Sequence, residues 1–108
     1  MSSTVKIIQP SGILDGATVN QLRREVSEIV EMGADIVLVD FQDVTFMNSS
    51  GLGALVSILK TVRSTGAELF ICSLSEQVKM IFQLTKMDRV FKIFANQDEF
   101  AQKVVSAS

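Results

Sequence analysis

Two adjacent hydroxyls, flanked by an amide and two glycines, offer the most specific chemistry in this 108-residue chain: Met47-Asn48-Ser49-Ser50-Gly51-Leu52-Gly53. The segment joins an apolar run that reads as a strand to a periodic run that reads as a helix. Helix N-termini carry unpaired N–H groups and the positive end of the macrodipole. A serine placed there can cap the helix, hold a phosphate, or present its hydroxyl to a partner. The two glycines do not extend this to a nucleotide site. No Lys-Ser/Thr follows Gly51 or Gly53 and no G-x-G-x-x-G frame is present, which argues against Walker and dinucleotide loops. Neither Ser49 nor Ser50 is framed as a G-x-S-x-G nucleophile elbow.

The rest of the reactive inventory is sparse. The chain has no histidine, which removes Ser-His-Asp and Cys-His sites, histidine bases and the commonest zinc ligand. Cys72 is single, so no internal disulfide forms, and its apolar surroundings suit a small core residue better than a reactive thiol. Asp40, near the end of an apolar strand, could shape the serine site or bind a cation, but capping the Gln42-Asp43 turn suits it better. The expectation is therefore a protein without catalytic residues, metal or cofactor. Net charge is −2, and Lys and Arg are dispersed apart from Arg23-Arg24, so neither nucleic acid nor an anionic membrane is an expected partner. No apolar run approaches a bilayer span, and Met1-Ser2-Ser3-Thr4-Val5-Lys6 has no signal-peptide pattern. A soluble cytoplasmic protein without membrane insertion is expected.

The elements that must position the serines follow from periodicity. Val5–Gln9 reads as a strand, Pro10-Ser11-Gly12 interrupts it, and Ile13-Leu14 resumes pairing. Thr18 and Gln21 have the spacing of a capping box. Val19, Leu22, Val26, Ile29 and Val30 then mark one face of a helix that ends at Gly33, with its charges facing water. Ile36–Phe41 is the continuous apolar run expected of a strand covered on both faces. After Val44–Met47 a second helix buries Leu52, Leu55, Val56, Leu59 and Val62 and closes at Gly66. Glu68–Cys72 reads as a strand, and Ser75 caps a third helix carrying Val78, Ile81 and Phe82. Met80 and Met87 are either core filler or part of an adaptable binding surface. Val90–Phe94 reads as a short strand, and Asn96 or Asp98 caps a last helix with Phe100, Val104 and Val105 inward. Alternation of strands and helices predicts one α/β layered domain over residues 1–108, with a mainly parallel sheet of about four to five strands and about four helices.

This arrangement resembles the STAS family (sulphate transporter and anti-sigma factor antagonist domains), and within it the free-standing anti-sigma factor antagonists. Gly12-Ile13-Leu14-Asp15 with Thr18 and Leu22 is similar to the family's opening of helix one. Ile36–Phe41 is similar to its central strand, and Phe46–Gly53 to its signature D-S-S/T-G-L-G. Leu74–Phe82 fits its third-helix region. The resemblance implies a protein switch, in which the unphosphorylated antagonist binds an anti-sigma factor that is also a serine kinase and frees a sigma factor. It also implies that Ser49 is the phosphoacceptor and that a PP2C-type phosphatase reverses the modification. Asn48, Ser49, Ser50, Gly51 and Leu52 are then the expected partner-binding residues, supported by Asp15 and Asp40. Asn48 departs from the family's Asp. It caps a helix equally well, but the lost charge bears on phosphorylation. A constitutive STAS scaffold in a transport or stress-signalling complex is the alternative; a small enzyme or nucleotide-binding protein fits least.

Overall fold

A computed structural model describes residues 4–105. Its strands are β1 (Val5–Ile8), β2 (Ser11–Leu14), β3 (Ile36–Asp40), β4 (Asp43–Met47), β5 (Glu68–Cys72) and β6 (Lys92–Phe94). Its helices are α1 (Gly16–Glu31), α2 (Ser49–Ser64), α3 (Glu76–Leu84) and α4 (Gln97–Phe100), with a 3-10 turn at Met87–Arg89 and a π-helical continuation at Ala101–Val105. The main sheet is four-stranded and wholly parallel, in the order β1-β3-β5-β6. The expected α/β architecture is present, with one addition. β2 and β4 leave the main sheet and pair with each other as a separate two-stranded parallel ribbon. Pro10 lacks an N–H and ends β1, so the chain resumes pairing elsewhere.

Side chains alternate across the main sheet and divide the core in two. Val37, Val39, Leu69 and Ile71 join Val19, Leu22 and Val26 of α1, Leu55, Leu59 and Val62 of α2, and Val78 and Phe82 of α3. Leu38, Phe70 and Cys72 face the other way, against Phe100 of α4. Aromatic edges tighten both layers: Phe82 packs T-shaped on Phe41 and Phe91, and Phe70, Phe94 and Phe100 form a triad with centroids 5.6–5.8 Å apart. Removing a fully buried residue such as Leu55 would cost about 2–5 kcal/mol.

Several local expectations need correction. The cap of α1 is Asp15, three residues before the expected Thr18. Thr18 occupies the third helical position, where its Oγ accepts from Asp15 N at 2.9 Å while Asp15 Oδ1 accepts from Thr18 N at 3.0 Å. A carboxylate there satisfies two amides, which the Thr18–Gln21 alternative would leave to solvent. Ile58 joins the buried stripe of α2, and Val56 sits at its margin. Val90 and Phe91 close the 3-10 turn through N–H bonds to Met87 O, so β6 begins only at Lys92. Val105 is 43% exposed, past the inward face of the final helix. Ser75 caps α3 as expected, Asn96 and not Asp98 caps α4, and Gly33 and Gly66 take the left-handed backbone that ends α1 and α2.

Candidate functional site

The two ribbon strands run parallel and each leads directly into a helix: β2 into α1 through Asp15, β4 into α2 through Asn48. Two helix N-termini therefore lie side by side at one end of the ribbon. Leu14, the last residue of β2, joins them. Its carbonyl oxygen accepts from Asn48 N at 3.3 Å. The first turn of α2 lies so close to this carbonyl that a Cβ on Gly51 would fall 2.2 Å from Leu14 O and 3.2 Å from Met47 Cγ. Only a residue without a side chain permits that approach. A Cβ on Gly16, the first residue of α1, would stand 3.9 Å from Ser50 Cβ, an ordinary contact.

The caps differ. Asp15 Oδ1 accepts from both Ala17 N and Thr18 N, and Thr18 Oγ closes the box and also donates to Ile13 O. Thr18's backbone N–H and its hydroxyl, followed by Ala17 N–H, hold the Asp15 carboxyl below its ordinary range. Asn48 Oδ1 accepts only from Gly51 N, at 2.8 Å. The amides of Ser49 and Ser50 precede the helical hydrogen-bond ladder, and their hydroxyls make no side-chain hydrogen bond among the described residues. Both serines are exposed. The arrangement offers two hydroxyls at the positive end of a 16-residue helix in a chain without histidine.

The sequence-derived site divides on inspection. Asn48, Ser49 and Ser50 are at the surface, where a partner can touch them. Gly51 and Leu52 are buried and hold the turn from beneath, so their part in partner binding is indirect. Asp15 belongs to the neighbouring helix start. Asp40 does not join the serines: it alternates with Val39 onto the α4 face of the sheet, 1% exposed, where Oδ1 accepts from Gln42 N (2.9 Å) and Oδ2 from Gln97 Nε2 (2.7 Å). It caps the turn after β3 and fastens α4. Cys72, its cross-strand neighbour, is a buried free thiol whose pKa is raised by burial and by the Asp40 carboxylate. Among the described residues no group of three or more Cys, Asp or Glu is placed to hold a metal. None of the described helices is long and apolar enough to cross a membrane.

Sequence reasoning gave no surface role to Ile13 or Phe46. Both are exposed, directly opposed across the ribbon, and alternate with the buried Leu14 and Met47. That parity was visible in the sequence, but not which face met the core.

Comparisons with known proteins fit this geometry. The sequence model of the STAS domain matches residues 2–100. The anti-sigma-B factor antagonist of Bacillus subtilis is 31% identical over 88 residues, spanning 82% of this chain and 80% of that protein. The crystal structure of a Thermotoga maritima protein superposes with a TM-score of 0.83 at 28% identity, covering 93% of this chain and 86% of that one. An anti-sigma factor antagonist solved in its unphosphorylated form matches in fold, with a TM-score of 0.76 at 18% identity over 100% of this chain and 93% of the other.

Proposed function

Because the chain belongs to the STAS domain family, we propose that it is an anti-sigma factor antagonist: a cytoplasmic, non-enzymatic binding switch that sequesters an anti-sigma factor/serine kinase and so releases a sigma factor. The observation that carries this reading is the exposed, unpartnered Ser49 hydroxyl at the capped start of α2. In its unphosphorylated form the chain docks its partner there. The partner's kinase activity transfers the γ-phosphoryl of ATP to Ser49 Oγ, and a PP2C-type phosphatase hydrolyses the ester and restores the hydroxyl.

Elementary electrostatics makes such a switch effective. A phosphoryl group adds a charge of about −1.5 to −2. At the N-terminus of α2 that charge meets the favourable end of the dipole, worth about 0.3–1 kcal/mol, so the domain tolerates it. A docked protein must instead desolvate the charge or oppose it, at a cost of several kcal/mol. At about 1.4 kcal/mol per tenfold in affinity, that releases the partner. Asn48 caps the helix through its Oδ1, which accepts from Gly51 N and makes no hydrogen bond to the Ser49 hydroxyl.

Incubation with the source organism's anti-sigma factor kinases and ATP, followed by mass spectrometry, tests the reading. One phosphoryl group on Ser49 is expected; modification elsewhere, or none, would overturn it. The second reading, a constitutive STAS scaffold without phosphocontrol, is motivated by Asn48 standing where the family's Asp is usual. Recovery of transport or stress-complex components in place of a kinase by pull-down would favour it.

A further inference from the structure

The connections that leave β5 and β6 diverge. The first turns to α3, packed on one face of the main sheet, and the second to α4, packed on the other. Adjacent parallel strands whose connections part in this way open a crevice at their carboxyl ends, the usual place for a ligand in an open α/β sheet. A cavity of about 440 Å³ begins there, against Leu74 and Phe94, and continues between α3 and the edge strand β6. Small-molecule sites range over about 300–1,000 Å³.

The wall of this cavity is apolar and fixed. Leu74, Phe82, Ile93 and Phe94 line it; Phe82 is held by the rings of Phe41 and Phe91, and Phe94 by those of Phe70 and Phe100. Ser73 takes a left-handed backbone at φ +63° to turn the chain into Leu74, and its N–H donates to Phe94 O at 3.2 Å, tying the two strand ends together. Beside the apolar wall stand one cation and one anion, Lys79 and Asp88. Neither forms an ion pair, with the other or with any described residue. Single unpaired charges on a surface are ordinary. Two of opposite sign on one apolar cavity complement a ligand that carries both signs on an apolar body. A purely anionic ligand would be opposed by Asp88, and a purely cationic one by Lys79.

We propose that this cavity binds a zwitterionic amino acid with an apolar side chain. The ligand's carboxylate meets the Lys79 ammonium, its ammonium meets the Asp88 carboxylate, and its side chain lies against Phe82, Ile93 and Phe94. The rings are already held by their neighbours, so little ordering of the wall is lost on binding. The site is separate from the Ser49 helix start and independent of the antagonist reading, and either can fail alone.

Titration of the full chain with L-phenylalanine and L-leucine, followed by amide chemical shifts in NMR spectra, tests the site. Saturable shifts at Leu74, Ile93 and Ala95 are expected below about 10 mM, where even a millimolar site is filled. Lys79→Gln and Asp88→Asn, both at exposed positions, should each raise Kd about fivefold, the upper end for exposed ion pairs. 3-Phenylpropionate and phenethylamine, which each keep one charge, should bind about fivefold more weakly than phenylalanine. Circular dichroism checks that the variants fold. No saturable shift with either amino acid overturns the site. Unchanged affinity in both folded variants overturns it as well. Binding of 3-phenylpropionate as tight as that of phenylalanine would assign the cavity to apolar anions and overturn the zwitterion.

Discussion

The starts of α1 and α2 are built from the same parts and left in different states. Each follows a strand of the same parallel ribbon, each has an Asx residue as its N-cap, and each has a glycine within its first turn. At α1 the cap is closed: one carboxylate oxygen takes two amides, and Thr18 returns a hydroxyl to the cap backbone. At α2 the cap is minimal: a neutral amide takes one N–H, and two serine hydroxyls stand in solvent. A closed start commits its polar groups to stability, whereas an open one keeps them for chemistry with another molecule. Their difference in hydrogen bonding, and not in position, separates a closed helix start from an open one.

The largest effect expected from probing this contrast is at the two glycines. Gly51→Ala drives a methyl into Leu14 O and should cost about 3 kcal/mol, at the upper end of overpacking penalties, read as a loss of denaturation midpoint in urea. Gly16→Ala meets only ordinary contact and should be neutral or stabilising by about 0.5 kcal/mol. Equal tolerance at both would remove the close approach that couples the two starts.

Loss of the caps should rank next. Asp15→Ala removes acceptors for two amides and should lower the melting temperature more than Asn48→Ala, which removes one and should cost about 1 kcal/mol. Only the α1 cap titrates. Because the folded-state pKa of Asp15 lies below its unfolded value, its contribution is present above about pH 4 and lost as pH falls through the folded value. Asp15→Asn should flatten that acid limb of a stability–pH curve, and Asn48→Ala should leave its shape unchanged.

The smallest stability effect belongs to the serine itself. Ser49→Ala and Ser49→Asp should each stay within about 0.5 kcal/mol of wild type, since the exposed hydroxyl has no intramolecular partner. The binding readout should diverge: Ser49→Asp weakens affinity for the kinase partner at least tenfold by calorimetry, and Ser49→Ala retains it. A destabilised Ser49→Ala would mean that the α2 start is as closed as that of α1.

Much of this protein is legible in local patterns along the chain. Apolar runs mark the two central strands of the main sheet, a 3.6-residue apolar repeat marks α1 and α2, and Ser75 announces the cap of α3. These signals depend on neighbours within a turn or a strand, which the chain order supplies. The capping box of α1 was misplaced by three residues because Asp15–Thr18 and Thr18–Gln21 both satisfy the same spacing.

The residues themselves determined the elements, the absence of histidine chemistry and the Ser49 helix start. Tertiary structure decided that β2 and β4 form their own ribbon, that Leu14 O lies against Gly51, that Asp40 turns toward α4, and that Ile13, Phe46 and Met80 meet on one surface. The physical reason is range. Hydrogen-bond caps and side-chain periodicity are settled within a few residues, whereas register and facing are settled by which distant segments exclude water together.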